Sequence, residues 1–524
     1  MALKYLYVPS GYKAGTAYGV LPNDSSADFD NFSRPSGATR VDSNRLIDRG
    51  ESLGSNIEPT DFSSGWTGVG SGMTLSTGSA EFDNDGSGAY IQTSSNITLG
   101  TSYRIIFEVT SFTSAAAGGL YYYSANGGTK LSVEGVGTYE YTFTSNETRT
   151  FVLNSYTGTT LTVGSVSLRE ITTENTNTPR LDYTDGSCPA LLLEPQRTNL
   201  CLNSTRGVYG NSPASTTQTL APDGTNTATI PTPNDTADRY EYTISAGSAT
   251  GDTKITYSWY RKRLSTPSED PNQTGDLKVS GLVNCIQDGS TIQIGSDIGG
   301  YDRFSATFDV VDGSLEAKIR LYFGEVVGIG NSSVAYFGHQ VEIGAHATSY
   351  IPTDTDSTST RNLDRGGWAA NFDGMNNSEG VLEARFKAFD TDVSNRITLG
   401  TNVNGDDHNR LAIGYTISGG VIKPFVIIVY DGGGAEVVEY QTVSMPSSFN
   451  IFEYNTYKFK FKAGNNELKI NGELVALSNT MANLDFSFGG VLESISLNVF
   501  GSSTSNRFYG GIKHIKVYDS ITDF

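Results

Sequence analysis

The chain has 524 residues, enough for about three domains at roughly 150 residues each. Only 18% of residues are charged, Gly reaches 59, and the 29 Tyr and 25 Phe recur along the whole length. That composition excludes a disordered chain and favours short strands and tight turns over helices, so it predicts an all-β protein. With 36 basic against 56 acidic residues the net charge is −20, which excludes a broad nucleic-acid-binding surface. The densest cationic stretch, Tyr260-Arg261-Lys262-Arg263, reads as a solvated face at a strand end.

Residues 1–56 are rich in Gly, Pro, Ser, Asp and Asn, with aromatics at irregular spacing (Tyr5, Tyr7, Tyr12, Tyr18, Phe29, Phe32). Such a segment cannot build its own core, yet it is too apolar for a free tail. We expect an extended arm that orders against another chain. Its first residues lack the apolar stretch of a secretory signal, and the longest apolar run, Phe425 to Tyr430, is far short of a membrane span. The expectation is a protein made in a cytoplasm and not inserted in a membrane.

Residues 57–172 alternate as strands at Tyr103–Val109, Leu120–Tyr123, Tyr139–Phe143, Thr150–Leu153 and Val163–Leu168, with an Asn126-Gly127 hairpin signal. Short strands at such spacing argue for a jelly-roll sandwich. Residues 203–350 repeat the plan. Tyr301–Phe308 echoes Tyr139–Thr144, and Ala335–Ile343 echoes Val163–Ile171, so the two units read as a duplicated jelly roll. Between them, residues 173–202 hold an apolar plug, Leu191 to Leu193, bracketed by Pro189 and Pro195, and should be an ordered connector.

Residues 351–364 read as a polar linker into a last domain, 365–524, whose strands are longer. There Gly380–Phe389 puts Val381, Glu383, Arg385 and Lys387 on one face and Leu382, Ala384 and Phe386 on the other. Leu468–Val475 carries an Asn471-Gly472 type I′ turn, and Tyr509–Asp519 closes the chain as a half-buried strand. Such strands without helix predict a larger two-sheet sandwich with polar outer faces.

Three stretches resemble bacteriophage virion proteins of the tail-fibre and head-fibre kind. Pro179-Arg180-Leu181-Asp182-Tyr183, together with Leu191-Leu192-Leu193-Glu194-Pro195-Gln196-Arg197-Thr198-Asn199-Leu200, is similar to their connector. Gln340-Val341-Glu342-Ile343-Gly344 and Ala347-Thr348-Ser349-Tyr350-Ile351-Pro352-Thr353 resemble the exit strand and linker after their carbohydrate-binding-module-like jelly rolls. Phe32 to Asp42 resembles their N-terminal segment. The last domain is similar to concanavalin A-like and laminin G-like sandwiches. The resemblance implies a fibre or spike subunit on the virion surface. Residues 1–56 would dock to other virion proteins, the chain would form a homo-oligomer, a trimer above all, and a lectin-like domain would attach to a host-surface glycan.

No Glu-x-Asp-x-x-Glu run and no Gly-x-Ser-x-Gly elbow occur, and Glu436 and Glu439 fall at i and i+3 on opposite strand faces. Cys188, Cys201 and Cys285 form no Cys-x-x-Cys spacing and are expected to stay reduced, while His339, His346, His408 and His514 lie in separate settings. We expect no enzyme, no cofactor and no metal site. A saccharide site needs an aromatic platform beside hydrogen-bonding side chains. The candidates are Trp368, the loop residues Asp406, Asp407, His408 and Arg410, and Tyr430 with Asp431; hairpin turn, strand end and core tryptophan are the ordinary roles open to them. Two other readings stand beside the lectin-like one: an architectural collar or head-decoration protein without ligand, and a fibre-borne polysaccharide depolymerase.

Overall fold

The computed structural model describes residues 3–13, 16–21, 32–50, 52–86, 88–114, 119–125, 127–133, 135–145, 147–173, 176–225, 227–247, 254–264, 278–282, 285–287, 293–323, 334–353, 357–366, 368–370, 375, 378–389, 395–401, 409–418, 421–431, 436–497, 508–521 and 524. The N-terminal segment does not stand apart as an arm. Strand β1 (Leu3–Lys13) pairs antiparallel with the last strand of the chain, Tyr5 opposite Val517 and Tyr7 opposite Ile515, and forms a hairpin with β2 (Thr16–Leu21). Tyr5 and Tyr7 are fully buried in the core of the last sandwich. Of its irregular aromatics, Tyr5 and Tyr7 thus find their core within the same chain, and Phe32 packs against it. The short pair β3 (Arg40–Val41) and β4 (Ile47–Asp48) packs Val41 and Ile47 against the second jelly roll.

The first jelly roll runs through β5 (Ser52–Asn56), β6 (Trp66–Val69), β7 (Met73–Ser76), β8 (Ser79–Asn84), β9 (Tyr90–Ile97), β10 (Ser102–Ser114), β11 (Gly119–Ala125), β12 (Gly127–Ser132), β13 (Gly137–Thr144), β14 (Arg149–Ser155) and β15 (Thr159–Thr173). One sheet has the order β13-β10-β15-β8-β7, with β5 on β15, and the other β12-β11-β14-β9-β6. Alternation does the work that the sequence predicts: Ile105, Phe107 and Val109 of β10 and Val163, Val166 and Leu168 of β15 point into one core.

The connector becomes β16 (Arg180–Asp182), β17 (Ala190–Leu193) and β18 (Arg197–Asn199). The second roll follows as β19 (Tyr209–Asn211), β20 (Ser215–Thr219), β21 (Ala228–Thr232), β22 (Arg239–Ile244), β23 (Lys254–Arg263), β24 (Lys278–Leu282), β25 (Cys285–Gln287), β26 (Gln293–Ile298), β27 (Tyr301–Val310), β28 (Ala317–Tyr322) and β29 (Val334–Ile343). Its neighbours β27-β23-β29-β21 repeat β13-β10-β15-β8, and β24-β28-β22 repeats β11-β14-β9. Identical strand order in identical chain order supports the duplication far better than the sequence echoes do. The Arg261 stretch departs from its reading as a solvated face. Arg261 is buried, its guanidinium 5.8 Å from the centre of the Phe304 ring, because β23 and β29 are covered on both faces.

β30 (Ser359–Arg361) pairs with β18 as a separate two-stranded sheet, and the last sandwich contains β31 (Trp368–Ala370), β32 (Glu379–Ala388), β33 (Asn395–Gly400), β34 (Arg410–Ser418), β35 (Val421–Asp431), β36 (Glu436–Thr442), β37 (Asn455–Lys462), β38 (Glu467–Ile470), β39 (Glu473–Val475), the short helix α1 (Asn479–Ala482), β40 (Ser494–Ser496) and β41 (Gly510–Tyr518). One sheet is β31-β40-β33-β34-β35-β36. The other is β16-β17-β41-β32-β37-β38-β39, so the proline-bracketed connector is two strands of this sheet and not a spacer between beads. The β38–β39 turn has Asn471 at φ 53° and Gly472 at φ 84°, as type I′ requires. The outer faces are not uniformly polar. Ala412, Phe425, Ile427 and Val429 form a second, buried cluster on the β34–β35 face opposite the main core.

The N-terminal segment, the connector, the second roll and the lead into the last sandwich meet at one buried charge network. Arg34 Nη1 lies 2.8 Å from Asp364, Arg180 Nη2 lies 2.8 Å from Glu194 and also contacts Asp364, and Arg361 Nη1 lies 3.0 Å from Glu194. The N–H of Ser349 (2.7 Å) and its hydroxyl (2.6 Å) donate to Glu194, and Arg361 Nη2 donates to the carbonyl of Pro195 at 2.8 Å. Glu342, buried beside them, accepts the amide of Thr348 at 3.0 Å, so Arg34, Arg180 and Arg361 balance Glu194, Asp364 and Glu342. Burial alone would raise the Glu194 carboxyl, but the Arg361 and Arg180 guanidiniums and the Ser349 bonds outweigh it and hold it far below the carboxylate range. The linker read as polar therefore supplies two buried members, Arg361 and Asp364.

Removing one member strands its partners in a dry site. Asp364→Asn is expected to cost about 3–5 kcal/mol in urea unfolding, whereas Arg40→Gln, at a partly exposed pair with Asp48, costs below about 1 kcal/mol. The pH dependence has a fixed sign. Glu194 is depressed from 4.5, and Glu383, which burial would raise but which His514 and Lys516 hold down, falls to about 2. Their stabilisation is complete above pH 4.5 and lost as pH falls further. Thermal midpoints should stay level from pH 7 to about 5 and drop steeply below about 4.5.

Candidate functional site

Strand directions set the two ends of the last sandwich. β32 ends at Ala388 beside Gly510, at the joint, and β33 enters from that side and delivers Gly400 at the opposite end. There the loop ends are tied by Asn409, which sits at φ 55°, a left-handed conformation that an asparagine tolerates. Its Oδ1 accepts the N–H of Gly489 at 2.8 Å and that of Asp431 at 3.2 Å, while Gly400 accepts the N–H of Glu493 at 2.9 Å. The hairpin ends of β33–β34 and β35–β36 and the 485–493 loop so form one distal surface, with Asp431, Asp485, Ser487 and Gly489 exposed.

The sequence candidates divide here. Arg410, Tyr430 and Asp431 all lie at this end, but Arg410 pairs with Val429, whose side chain is on the outer face, so the Tyr430 ring points to the other side of the sheet. Asp431 is exposed, Arg410 is buried, and the half-buried Tyr430 ring packs on the core 6.3 Å from Phe486. Trp368 pairs through its backbone with Ser496 on the same sheet, and its side chain lies outside the described residues. Asp406, Asp407 and His408 lie outside them altogether. Asn409 was missed because an asparagine in a polar loop looks like any turn residue. Asn409→Ala should leave the domain folded while amide exchange at Asp431 and Gly489 accelerates roughly tenfold, a loss of about 1–1.5 kcal/mol of local protection.

A second site, which sequence reasoning did not find, opens at the joint end. The ring of Tyr454 has Lys513 Nζ at 4.9 Å, Lys387 Nζ at 5.0 Å and the Arg385 guanidinium at 5.9 Å from its centre. Its hydroxyl donates to Asp185 at 3.1 Å, and Lys387 donates to the same oxygen at 2.6 Å. Burial and then Asp185 push the Tyr454 phenol above its usual range, and burial, only partly offset by Asp185, lowers Lys513. Tyr454 and Asp185 line two adjoining cavities. One, of about 410 Å³, reaches Arg303, His346 and Phe389; the other, of about 880 Å³, reaches Arg40, Cys188 and Lys513. The alternation of β32 did place Arg385 and Lys387 on one face. Nothing local announced that Tyr454 and the 182–189 turn would meet them.

Among the described residues no group of three or more His, Cys, Asp or Glu side chains could hold a metal ion. His339, fully buried, bonds through Nδ1 to the Tyr257 hydroxyl at 2.8 Å, and burial lowers its pKa to about 3. Cys188 and Cys201 are free thiols.

No protein-family model and no curated protein matches this chain. Several solved structures resemble it weakly. The carbohydrate-binding module CBM40 of the Ruminococcus gnavus IT-sialidase is 19% identical with a TM-score of 0.22, covering 28% of this chain and 79% of that one. Domains LG4-5 of the mouse laminin alpha1 chain are 8% identical with a TM-score of 0.19, covering 53% of this chain and 85% of that one. What the chain is, on its own strands and sheets, is an all-β protein of tandem sandwiches.

Proposed function

We propose that the chain is a non-enzymatic bacteriophage fibre or spike subunit that binds saccharide on a host surface. The observation that carries this reading is that the fibre-like motifs are also the joint: Arg180, Glu194, Thr348 and Ser349 all belong to the buried network, and they hold the last sandwich by one end while its loop end faces outward. A stalk of welded sandwiches with a distal loop surface suits attachment, and grouping weak sites in a trimer raises avidity. The docking element is smaller than residues 1–56. Tyr7 is the last residue of β1 paired with β41, after which β17 takes that edge at Ile512, so the β1–β2 hairpin continues beyond the sheet. That hairpin is the element proposed to dock to the virion.

Full-length protein on an array of bacterial surface polysaccharides should bind a subset of them, and its solution mass should be that of a trimer. Excision of residues 10–18, which keeps the Tyr7–Gly19 pair, should leave the unfolding midpoint within about 1 °C and abolish incorporation into particles. Stoichiometric presence in particles with no binding to any glycan would make it an architectural collar or decoration protein. A monomer in solution would overturn the fibre.

A further inference from the structure

The Tyr454 groove is assembled from well-separated stretches of chain: the β3 region, the 182–189 turn, β27, the 345–350 segment, the Tyr454 loop, and the outer faces of β32 and β41. Three cations converge there on one aromatic ring, in a protein of net charge −20. Asp185 answers Lys387 and the Tyr454 hydroxyl. Asp182, the next carboxylate along the turn, is occupied by the amides of Val41 at 3.0 Å and Thr184 at 3.2 Å. Arg385 is exposed, and Lys513 donates to the carbonyl of Cys188, a neutral acceptor. Mutual repulsion holds such a cluster ready for an anion, and the ring fixes where the cations stand.

The walls say what kind of anion. Exposed Phe452 and half-buried Phe389 offer apolar faces, and Ser305, Ser43 and Ser187 offer hydroxyls. Aromatic faces with scattered hydroxyls and a carboxylate suit a sugar ring, and the volumes suit a short oligosaccharide. We propose that this groove binds an acidic saccharide, its carboxylate or sulfate held by Lys513, Arg385 and Lys387 and its hydroxyls by Asp185. The proposal rests on the saccharide-binding reading above and names the class of sugar.

Cys188 is exposed and lines the larger cavity, so its alkylation rate reports occupancy. The test follows iodoacetamide labelling of the Cys188 peptide in the full-length protein by mass spectrometry. The probes are an oligogalacturonate, a chondroitin sulfate oligosaccharide, neutral dextran and sodium sulfate, at constant ionic strength. One or both acidic oligosaccharides should slow labelling several-fold, the pair telling carboxylate from sulfate, while dextran does not. Lys513→Gln and, separately, the exposed Arg385→Gln should each weaken that protection roughly tenfold. Equal protection by sodium sulfate alone would overturn the saccharide and leave a simple anion site. Array binding that survives both substitutions, with no protection of Cys188, would overturn the groove and leave the saccharide-binding reading standing. No binding to any saccharide would overturn both.

Discussion

Three guanidiniums and three carboxylates buried at one point decide the shape of this molecule. Arg34, Arg180, Glu194, Glu342, Arg361 and Asp364 come from four stretches of the chain, and none retains appreciable contact with water. Taking such groups out of water costs several kcal/mol each, and the cost is offset only when every partner is present with its hydrogen bonds made. The joint is therefore conditional. It closes when the N-terminal segment, the connector, the exit of the second jelly roll and the lead into the last sandwich have all arrived, and any incomplete set leaves an unpaired charge in a dry site.

The rest of the architecture follows from that closure. With the Asp364 N–H donating to the Glu194 carbonyl at 2.9 Å and the Glu194 N–H to the Asp364 carboxylate at 2.8 Å, the connector lies along the last sandwich, and β17 takes a place on the edge of β41. β1 occupies the remainder of the same edge, so the two ends of a long chain share one sheet. The first roll is held by a second charge cluster. Arg49 reaches Glu140 at 2.5 Å and Asp223 at 3.2 Å, and Arg206 lies 4.5 Å from the centre of the Tyr139 ring. Both contacts bridge β13 of the first roll to the second.

What was legible in the sequence was whatever depends on near neighbours. Strand alternation, the Asn471-Gly472 turn and the tandem plan of the rolls are local properties, and they stand in the structure. The placement of polar residues was not legible. Arg361 and Asp364 lie among Thr, Ser and Asp, a composition that reads as solvated linker, yet they are buried because their partners stand more than 160 residues away, at Glu194 and Arg180. Tyr5 and Tyr7 looked unable to find a core because their core is built by strands at the other end of the chain. The same blindness hid the Tyr454 groove and drew attention to a distal loop whose composition alone was suggestive.

A joint made of charges differs in kind from one made of apolar surface. Apolar faces can slide over one another with little change in buried area, whereas a guanidinium forked between two carboxylates has one geometry, and displacing it strands charges. The apolar contacts at this joint, Val41 and Ile47 on Tyr260, Phe337 and Tyr350, supply cohesion, and the charges fix the angle. A fixed angle is what a groove shared among many separate stretches of chain needs, since its walls keep their spacing only while the units do. The network and the Tyr454 groove are linked in this way. Glu194 and Thr39 line the smaller cavity on one side and belong to the charge network on the other, so the interaction that holds the sandwiches together also sets the width of the cleft between them.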